Sequence, residues 1–286
     1  MQMNTFHAEP NIYAQKIDLK VTNLQTSLRF YQDILGFQVL HQSKHEVSLS
    51  ADGNQTLVQL HAPEGLQKKE LRRTGLYHFA ILLPTRNDLA KIIRHFIKVN
   101  YPLQGASDHD VSEALYLADP DGNGIEIYAD RPKTSWDWKG EEVVMGTNAL
   151  DVQSIMSEWD GNEWNGMPNE TIMGHIHLHV NNIEEAKTFY CEGLGFEVVT
   201  HYGNQALFIS TGKYHHHIGL NIWNGTMAVA PSANSVGMAF YTLVFPKNKL
   251  EQAVERLQAM NIEVERQADS YMVSDPAGNN IKLVVE

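Results

Sequence analysis

The chain has 286 residues, and its 34 Asp and Glu against 22 Lys and Arg give a formal net charge of -12, which would repel nucleic-acid phosphates and anionic lipid. No apolar run approaches the roughly 18 to 20 residues needed to cross a bilayer. Because 43% of the residues are hydrophobic, enough to fill real cores, we expect a globular protein of two domains that binds neither nucleic acid nor membrane.

Cysteine and histidine usage narrows the chemistry. The single cysteine, Cys191, excludes an intramolecular disulfide framework, and the start MQMNTFHAEP lacks the basic-then-apolar pattern of a signal peptide, so a cytoplasmic protein is expected. Histidine, by contrast, occurs 14 times and is clustered in HIHLHV (175–180) and YHHHIG (214–219). Clustered imidazoles favour metal chemistry.

The first predicted module recurs in the second half of the chain. An alternating strand, KIDLKV (16–21), leads into an amphipathic helix and the LGF of residues 35–37. The segment 21–39 aligns without a gap on the segment 180–198, in which LGF returns at residues 194–196. Aromatic residues at core spacing on the two helices are interpreted as packing groups: Phe30, Tyr31, Phe189 and Tyr190.

A second pair of similar segments indicates two further modules. GLYHFAILLP (75–84) resembles GMAFYTLVFP (237–246), and DPDGNGIEIY (119–128) resembles DPAGNNIKLV (275–284). Each module reads as one alternating strand, one helix and three further strands, a βαβββ unit. The chain therefore contains four modules in the order 1, 2, 3 and 4.

Local residues mark where the predicted elements begin and end. Asn182 can cap the helix of module 3 and Gly195 can terminate it. Turns are predicted at Asp52-Gly53-Asn54 and Asp121-Gly122-Asn123. The polar, tryptophan-rich stretch that follows module 2 shows no clean period and is predicted to be an ordered linker.

These elements predict an α+β fold divided into two domains. The first domain covers residues 1–132 with modules 1 and 2, the linker covers 133–171, and the second domain covers 172–286 with modules 3 and 4. The repeated LGF, the four βαβββ units and the DPDGN-x-IE strand resemble the vicinal-oxygen-chelate superfamily, which includes glyoxalase I, fosfomycin and bleomycin resistance proteins and type I extradiol dioxygenases. The resemblance implies that paired modules form half-open β-barrels, with a metal bound from the first and last strands of the modules.

The resemblance implies a metal site at His78, Glu126 and His175. Two histidines and one carboxylate are the set found in non-heme Fe(II) oxygenases with open coordination positions, and Fe(II) is the expected cofactor. A glutamate on an apolar strand is costly to bury unless it is paired or metal-bound. Modules 1 and 4 have lost the corresponding groups, which are replaced by Lys16, Phe240 and Lys282. Modules 2 and 3 must therefore face each other, within one chain or across a possible homodimer.

Extradiol dioxygenases offer further positions to compare. In that family a tyrosine lies ten residues before the glutamate ligand, the position of Tyr116 here. The family motif His-x-Val/Ile-Ala-Phe resembles residues 216–220, so His216 is the expected acid or base. A further family histidine falls at Ser107, with His109 two residues away as the candidate. The resemblance thus implies extradiol cleavage of a small aromatic diol by O2, with a catalytic set of His216, Tyr116 and His109.

Other interpretations of the same residues stay open at this point. His78 can be a core histidine, Tyr116 a packed strand tyrosine, and His215 and His217 surface or supporting groups. The rival functions are a glyoxalase-like isomerase or lyase with Zn, Ni or Mn, a thiol transferase of the fosfomycin resistance kind, and a drug-sequestering binding protein.

Overall fold

The computed structural model describes residues 5–286, and the first four residues, part of the N-terminal sequence considered above for localisation, lie outside the described residues. Within that range the chain forms the four predicted βαβββ modules and a folded linker. None of the helices in residues 5–286 has the length and apolar character that a membrane crossing requires.

Modules 1 and 2 have the following bounds. Module 1 comprises β1 Tyr13–Lys20, α1 Leu24–Arg29 continued by a π-helix Phe30–Ile34, β2 Gln38–Gln42, β3 Glu46–Ser50 and β4 Thr56–His61. Module 2 comprises β5 Gly75–Leu82, α2 Arg86–Val99, β6 Gly105–Asp108, β7 Ser112–Ala118 and β8 Gly124–Asp130. A 3-10 turn, Thr5–His7, precedes module 1.

The linker and the remaining modules follow. The linker contains a 3-10 turn Lys133–Ser135, β9 Trp138–Lys139, β10 Glu142–Val143 and α3 Val152–Met156. Module 3 comprises β11 Ile172–His179, α4 Ile183–Lys187 continued by a π-helix Thr188–Leu194, β12 Glu197–Tyr202, β13 Ala206–Ser210 and β14 Ile218–Asn221. Module 4 comprises β15 Gly237–Phe245, α5 Lys247–Ala259, β16 Glu265–Arg266, β17 Ser270–Ser274 and β18 Asn280–Val285.

The strands form two curled eight-stranded sheets, each built from two modules. One sheet has the order β16-β17-β18-β15-β1-β4-β3-β2 and joins modules 1 and 4. The other has the order β12-β13-β14-β11-β5-β8-β7-β6 and joins modules 2 and 3 through the antiparallel pair β5 and β11. The expected pairing of modules 2 and 3 is therefore present within a single chain. Each sheet takes strands from both sequence halves, 1–132 and 172–286, so sheet membership does not follow the division into those halves.

Within each half, a tyrosine–aspartate contact links successive modules. The Tyr31 hydroxyl donates to Asp119 Oδ2 at 3.0 Å, and the Tyr190 hydroxyl donates to Asp275 Oδ2 at 3.1 Å. Both aspartates are buried and also accept hydrogen bonds from the Asn side chain at the end of the same turn. In each half, the repeated tyrosine therefore donates a buried hydrogen bond to the aspartate of the repeated DP-x-GN turn. The sequence had predicted only a packing role for these tyrosines.

The helix ends agree with the predicted caps, and the helix interior differs. Asn182 Oδ1 accepts the backbone N–H groups of Glu184 and Glu185, and Gly195 adopts φ 95°, the left-handed conformation that ends a helix at low cost. Between these caps the helix widens to π geometry, which the apolar spacing did not predict.

The linker folds against both halves of the second sheet. Trp136 is buried, and the Arg94 guanidinium on α2 lies 3.7 Å from the centre of the Trp159 ring. The aromatic composition of this stretch therefore provides apolar contacts that a polar, aperiodic sequence does not reveal.

Candidate metal centre and active site

Three adjacent strands bring the predicted ligands together. On β5, Ala80 pairs with His175 of β11 on one side and with Glu126 of β8 on the other. His78 lies two residues before Ala80, so its side chain is on the same face of the sheet. The sheet register alone therefore places both imidazoles and the carboxylate in one neighbourhood.

The three donor atoms form a compact triangle. His78 Nε2 lies 3.0 Å from Glu126 Oε2, His175 Nε2 lies 3.3 Å from the same oxygen, and the two Nε2 atoms are 3.3 Å apart. All three side chains are buried, at 6%, 3% and 1% exposure for His78, Glu126 and His175. Donors at about 2.1 Å from one cation and at right angles would be separated by about 3.0 Å, so the triangle fits three neighbouring ligands of a single metal ion.

The charge state of the triangle also suits a cation. Burial lowers the pKa of His175 to about 4, which keeps its imidazole neutral near pH 7. Burial opposes ionisation of Glu126, yet the adjacent His175 and His78 hold the pKa of this carboxyl well below its ordinary value. Neutral imidazoles and an ionised carboxylate are the protonation states in which these groups bind metals.

An irregularity in β11 sets the direction of His175. The register with β5 shifts between Met173 and His175, and Gly174 occupies the shift. A Cβ atom at Gly174 would overlap the hydroxyl of Tyr128 on β8. Glycine is therefore required for the close approach of β11 that points His175 at Glu126.

A cavity of about 280 Å³ opens above the triangle. Its wall is formed by residues of β5, β6, β7 and β8 of module 2, of β11, β12 and β13 of module 3, of their loops, and of the linker. The lining residues are Tyr77, His78, Ser107, His109, Tyr116, Glu126, Met145, Gly146, Thr147, His175, His177, Thr200, Tyr202, Phe208, His216 and Trp223. The cavity therefore contains the whole predicted set: three ligands and three catalytic candidates.

Tyr116 and His109 form a directed pair. Tyr116 on β7 lies opposite Glu126 in the strand register. His109 Nδ1 donates to the carbonyl of Gly146 at 2.8 Å, so its Nε2 accepts the hydroxyl hydrogen of Tyr116 at 2.6 Å. Burial, reinforced by the charge of Glu126, raises the pKa of Tyr116 well above its ordinary value, so the hydroxyl stays protonated. Its lone pairs are left to face a bound molecule.

The three histidines of the HHH run have different surroundings. His216 lines the cavity, with its ring centre 4.0 Å from that of His175. His215 contacts His216 and Asp130. His217 Nε2 donates to the carbonyl of Phe6 at 3.0 Å, and its Nδ1 accepts the Thr211 backbone N–H at 3.3 Å. His217 is therefore a buried structural residue.

The other strand histidines also differ from one another. His177 is buried on the cavity wall opposite His78, and its Nε2 has no hydrogen-bond partner among residues 5–286. Burial lowers the pKa of His177 well below its ordinary value. His179 Nδ1 instead contacts Asn221 Oδ1 at 2.7 Å, near the end of the strand. His177 thus lines the cavity, whereas His179 contacts Asn221 outside it.

Some contributors to the cavity were not predicted. Residues 145–147 of the linker line the cavity, and the Gly146 carbonyl orients His109. Trp223 also lines the cavity, whereas Phe79 packs in the core and Tyr241 belongs to the other sheet.

Family comparison places the chain in a known group. The family model described as the glyoxalase/bleomycin resistance protein/dioxygenase superfamily matches residues 14–127 and 172–283. The chain belongs to this superfamily. The predicted vicinal-oxygen-chelate fold is thereby confirmed.

Two dioxygenases within that superfamily are similar to the chain in sequence. A catechol-2,3-dioxygenase of Bacillus subtilis (strain 168) is 43% identical over 292 residues, which cover 99% of this chain and 100% of that protein. A biphenyl-2,3-diol 1,2-dioxygenase 3 of Rhodococcus globerulus is 31% identical over 139 residues, 45% of this chain and 71% of that protein.

Two solved structures share the fold. A putative dioxygenase from Bacillus subtilis has a TM-score of 0.68 at 12% identity, covering 97% of this chain and 86% of that one. Glyoxalase I from Zea mays has a TM-score of 0.60 at 15% identity, covering 96% and 92% of the two chains. At these identities the likeness concerns the fold alone.

Proposed function

We propose that the chain is an Fe(II)-dependent extradiol dioxygenase that cleaves catechol or a substituted catechol with O2. The observation that carries the proposal is the buried triangle of His78, Glu126 and His175 at the base of a cavity that also contains Tyr116, His109 and His216. The near full-length similarity to a catechol-2,3-dioxygenase supports the same reaction class.

His78, Glu126 and His175 would hold the metal through Nε2, a carboxylate oxygen and Nε2. A set of three protein ligands leaves coordination positions free for the substrate and O2, as in other sites with two histidines and one carboxylate. When bound, Fe(II) would supply Lewis acidity that eases loss of a catechol proton and the one-electron chemistry that O2 requires.

The chain's own side chains would orient the diol and handle its protons. Tyr116, whose hydrogen is committed to His109 Nε2, offers a lone pair to a catechol hydroxyl. His216 lies on the cavity wall beside His175, and burial lowers the pKa of His216 well below its ordinary value. A neutral imidazole in this position is suited to accept a proton and return it later in the reaction.

The cavity lining favours uncharged ring substituents. Aromatic and apolar side chains dominate the wall away from the triangle, with Tyr77, Tyr202, Phe208, Trp223 and Met145. Lys and Arg do not occur among the described residues that line this cavity. A carboxylate on the ring would lose its hydration there without an ionic partner, which is costly. We therefore expect catechol and alkylcatechols to be better substrates than catechols that carry a carboxylate.

The test is anaerobic reconstitution of the chain with Fe(II), followed by addition of catechol and then air. A yellow ring-opened muconic semialdehyde, formed with uptake of one O2 per catechol, is the expected result. Parallel reactions with 4-methylcatechol and 3,4-dihydroxybenzoate compare neutral and charged rings in kcat/KM.

The same preparation discriminates the rival functions. Turnover of a methylglyoxal–thiol adduct or of fosfomycin with a thiol by the metal-loaded chain, without catechol cleavage, would replace the proposal by a glyoxalase-like or thiol-transferase function. Stoichiometric drug binding by the chain, without turnover of any of these substrates, would favour a sequestering protein.

A further inference from the structure

A chain of three side chains connects the cavity with the partly exposed end of β8. Asp130, the last residue of β8, is partly exposed, and its Oδ1 lies 2.8 Å from His215 Nε2. His215 is fully buried, and its Nδ1 lies 2.8 Å from His216 Nδ1. His216 in turn lines the cavity. The contact between two imidazole nitrogens requires that one of them donates and the other accepts.

The carboxylate fixes the direction of the first hydrogen bond, and the direction of the second follows for a neutral His215. An ionised carboxylate only accepts, so His215 must carry a hydrogen on Nε2 to bond with Asp130. A neutral His215 then has a lone pair on Nδ1, and the hydrogen in the second bond must come from His216 Nδ1. A neutral His216 protonated on Nδ1 has its basic lone pair on Nε2, the ring nitrogen left for the cavity.

The surroundings hold this arrangement in place. The Tyr214 hydroxyl also donates to Asp130 Oδ1, at 3.2 Å, and Tyr214 packs on the His215 ring at 4.0 Å between centres. Trp136 of the linker covers His215 at 5.2 Å between ring centres. Both neighbours restrict rotation of the His215 ring, which keeps its two nitrogens aimed at Asp130 and His216.

We infer that Asp130 and His215 are positioning residues that hold His216 in the Nδ1–H tautomer, so that Nε2 presents its lone pair to the substrate. The inference rests on the proposed function insofar as His216 is the acid or base for catechol cleavage. The tautomer itself can be measured without any reaction. Of the three residues in this hydrogen-bond chain, the resemblance to extradiol dioxygenases assigned a role to His216 only, and nothing in that pattern assigns Asp130 or His215.

The central variant is Asp130→Asn, which keeps the shape of the side chain and removes the charge. An amide can either accept from His215 Nε2–H or donate to an Nε2 lone pair, so both directions of the hydrogen-bond chain become available. In Fe(II)-loaded protein we expect kcat for catechol to fall at least tenfold, with KM and bound iron within about threefold of the parent. Asp151→Asn is the matched control, because Asp151 lines the same surface cleft as Asp130 and caps α3, and Asn caps a helix equally well.

The double variant separates positioning from general support of the fold. In a His216→Ala background, Asp130→Asn should cause no further loss of kcat, because the residue that it positions is gone. Equal fold-losses with and without His216 would overturn the inference. So would a loss of the same size in Asp151→Asn.

A spectroscopic measurement determines the tautomer of His216 independently of activity. Nitrogen-15 NMR of the full chain loaded with diamagnetic Zn(II), with His216→Ala used to assign the signals, reports which ring nitrogen carries the hydrogen. The expected result is a protonated Nδ1 and a bare Nε2 in the parent chain, with loss of this preference in Asp130→Asn. A parent His216 protonated on Nε2 refutes the inference even if catechol cleavage is observed. The expected tautomer without catechol cleavage would leave the positioning role intact and refute the proposed function.

Discussion

Replacement of Glu126 by glutamine tests the metal centre most directly. The change keeps the side-chain shape and removes the negative charge of the carboxylate. Its Oε2 atom lies 3.0 Å from His78 Nε2 and 3.3 Å from His175 Nε2. The carboxylate and the bound cation would form a buried ion pair, and removal of one member of such a pair costs about 3–5 kcal/mol. At 1.4 kcal/mol per tenfold, a loss of this size would weaken metal binding by roughly two to three and a half orders of magnitude.

The assay is metal content after dialysis together with competition against a chelator. Glu113→Gln is the matched control, because Glu113 is equally buried on the neighbouring strand β7 but pairs with Arg86 at 2.5 Å and with Arg131 at 3.1 Å. This control should lower stability and leave metal affinity unchanged. If Glu126→Gln keeps one metal per chain with an affinity within about fivefold of the parent, the assignment of the triangle as a metal site is refuted.

Three further outcomes are expected. His175→Ala should abolish metal retention, whereas His216→Ala should keep iron and slow turnover, as metal analysis and kcat will show; normal metal content in both variants would mean that the roles are wrong. Tyr116→Phe should lower kcat about ten- to a hundredfold with iron unchanged, since one buried hydrogen bond of about 1–3 kcal/mol is lost, and an unchanged kcat would contradict its orienting role. The metal-free chain should lose stability as the pH falls from about 6.5 toward 4. Burial lowers the pKa of His175 from 6.5 to about 4 in the folded state, so the unfolded chain binds more protons across this window. The contribution, about 3 kcal/mol at neutral pH, is measured by urea unfolding at pH 7 and pH 4.5, and equal stability at both would contradict it.

The fold and the triangle were accessible from sequence because both are repeated or periodic features. The gapless repeat identified the modules, and strand alternation selected one face for His78, Glu126 and His175. The pairing of modules 2 and 3 then followed from the requirement that the three ligands meet. Whether that pairing occurs within one chain depends on the path of the linker, which carries no periodic pattern.

The hydrogen-bond chain behind His216 was not accessible in the same way. Asp130 and His215 are far apart in sequence, and their contact depends on how the loop between β13 and β14 lies over the end of β8. The three consecutive histidines gave no means of separating their roles, because a loop has no fixed alternation of faces. The linker residues 145–147 were missed for the same physical reason: irregular backbone enters the cavity without a sequence period.

Within residues 5–286, the second sheet has a group of three side chains that could hold a metal ion and the first sheet has none, although both sheets have the same strand arrangement. At the positions equivalent to His175 and His78, the first sheet has Lys16 and Phe240. The Lys16 ammonium lies 3.0 Å from Asp18 Oδ2 and 5.7 Å from the centre of the Phe240 ring. In the first sheet, the ammonium group of Lys16, paired with a carboxylate and an aromatic ring, thus lies where the second sheet has its candidate metal ligands. The shared backbone positions the side chains equally in both sheets, so the chemistry is decided by which side chains the repeats have kept.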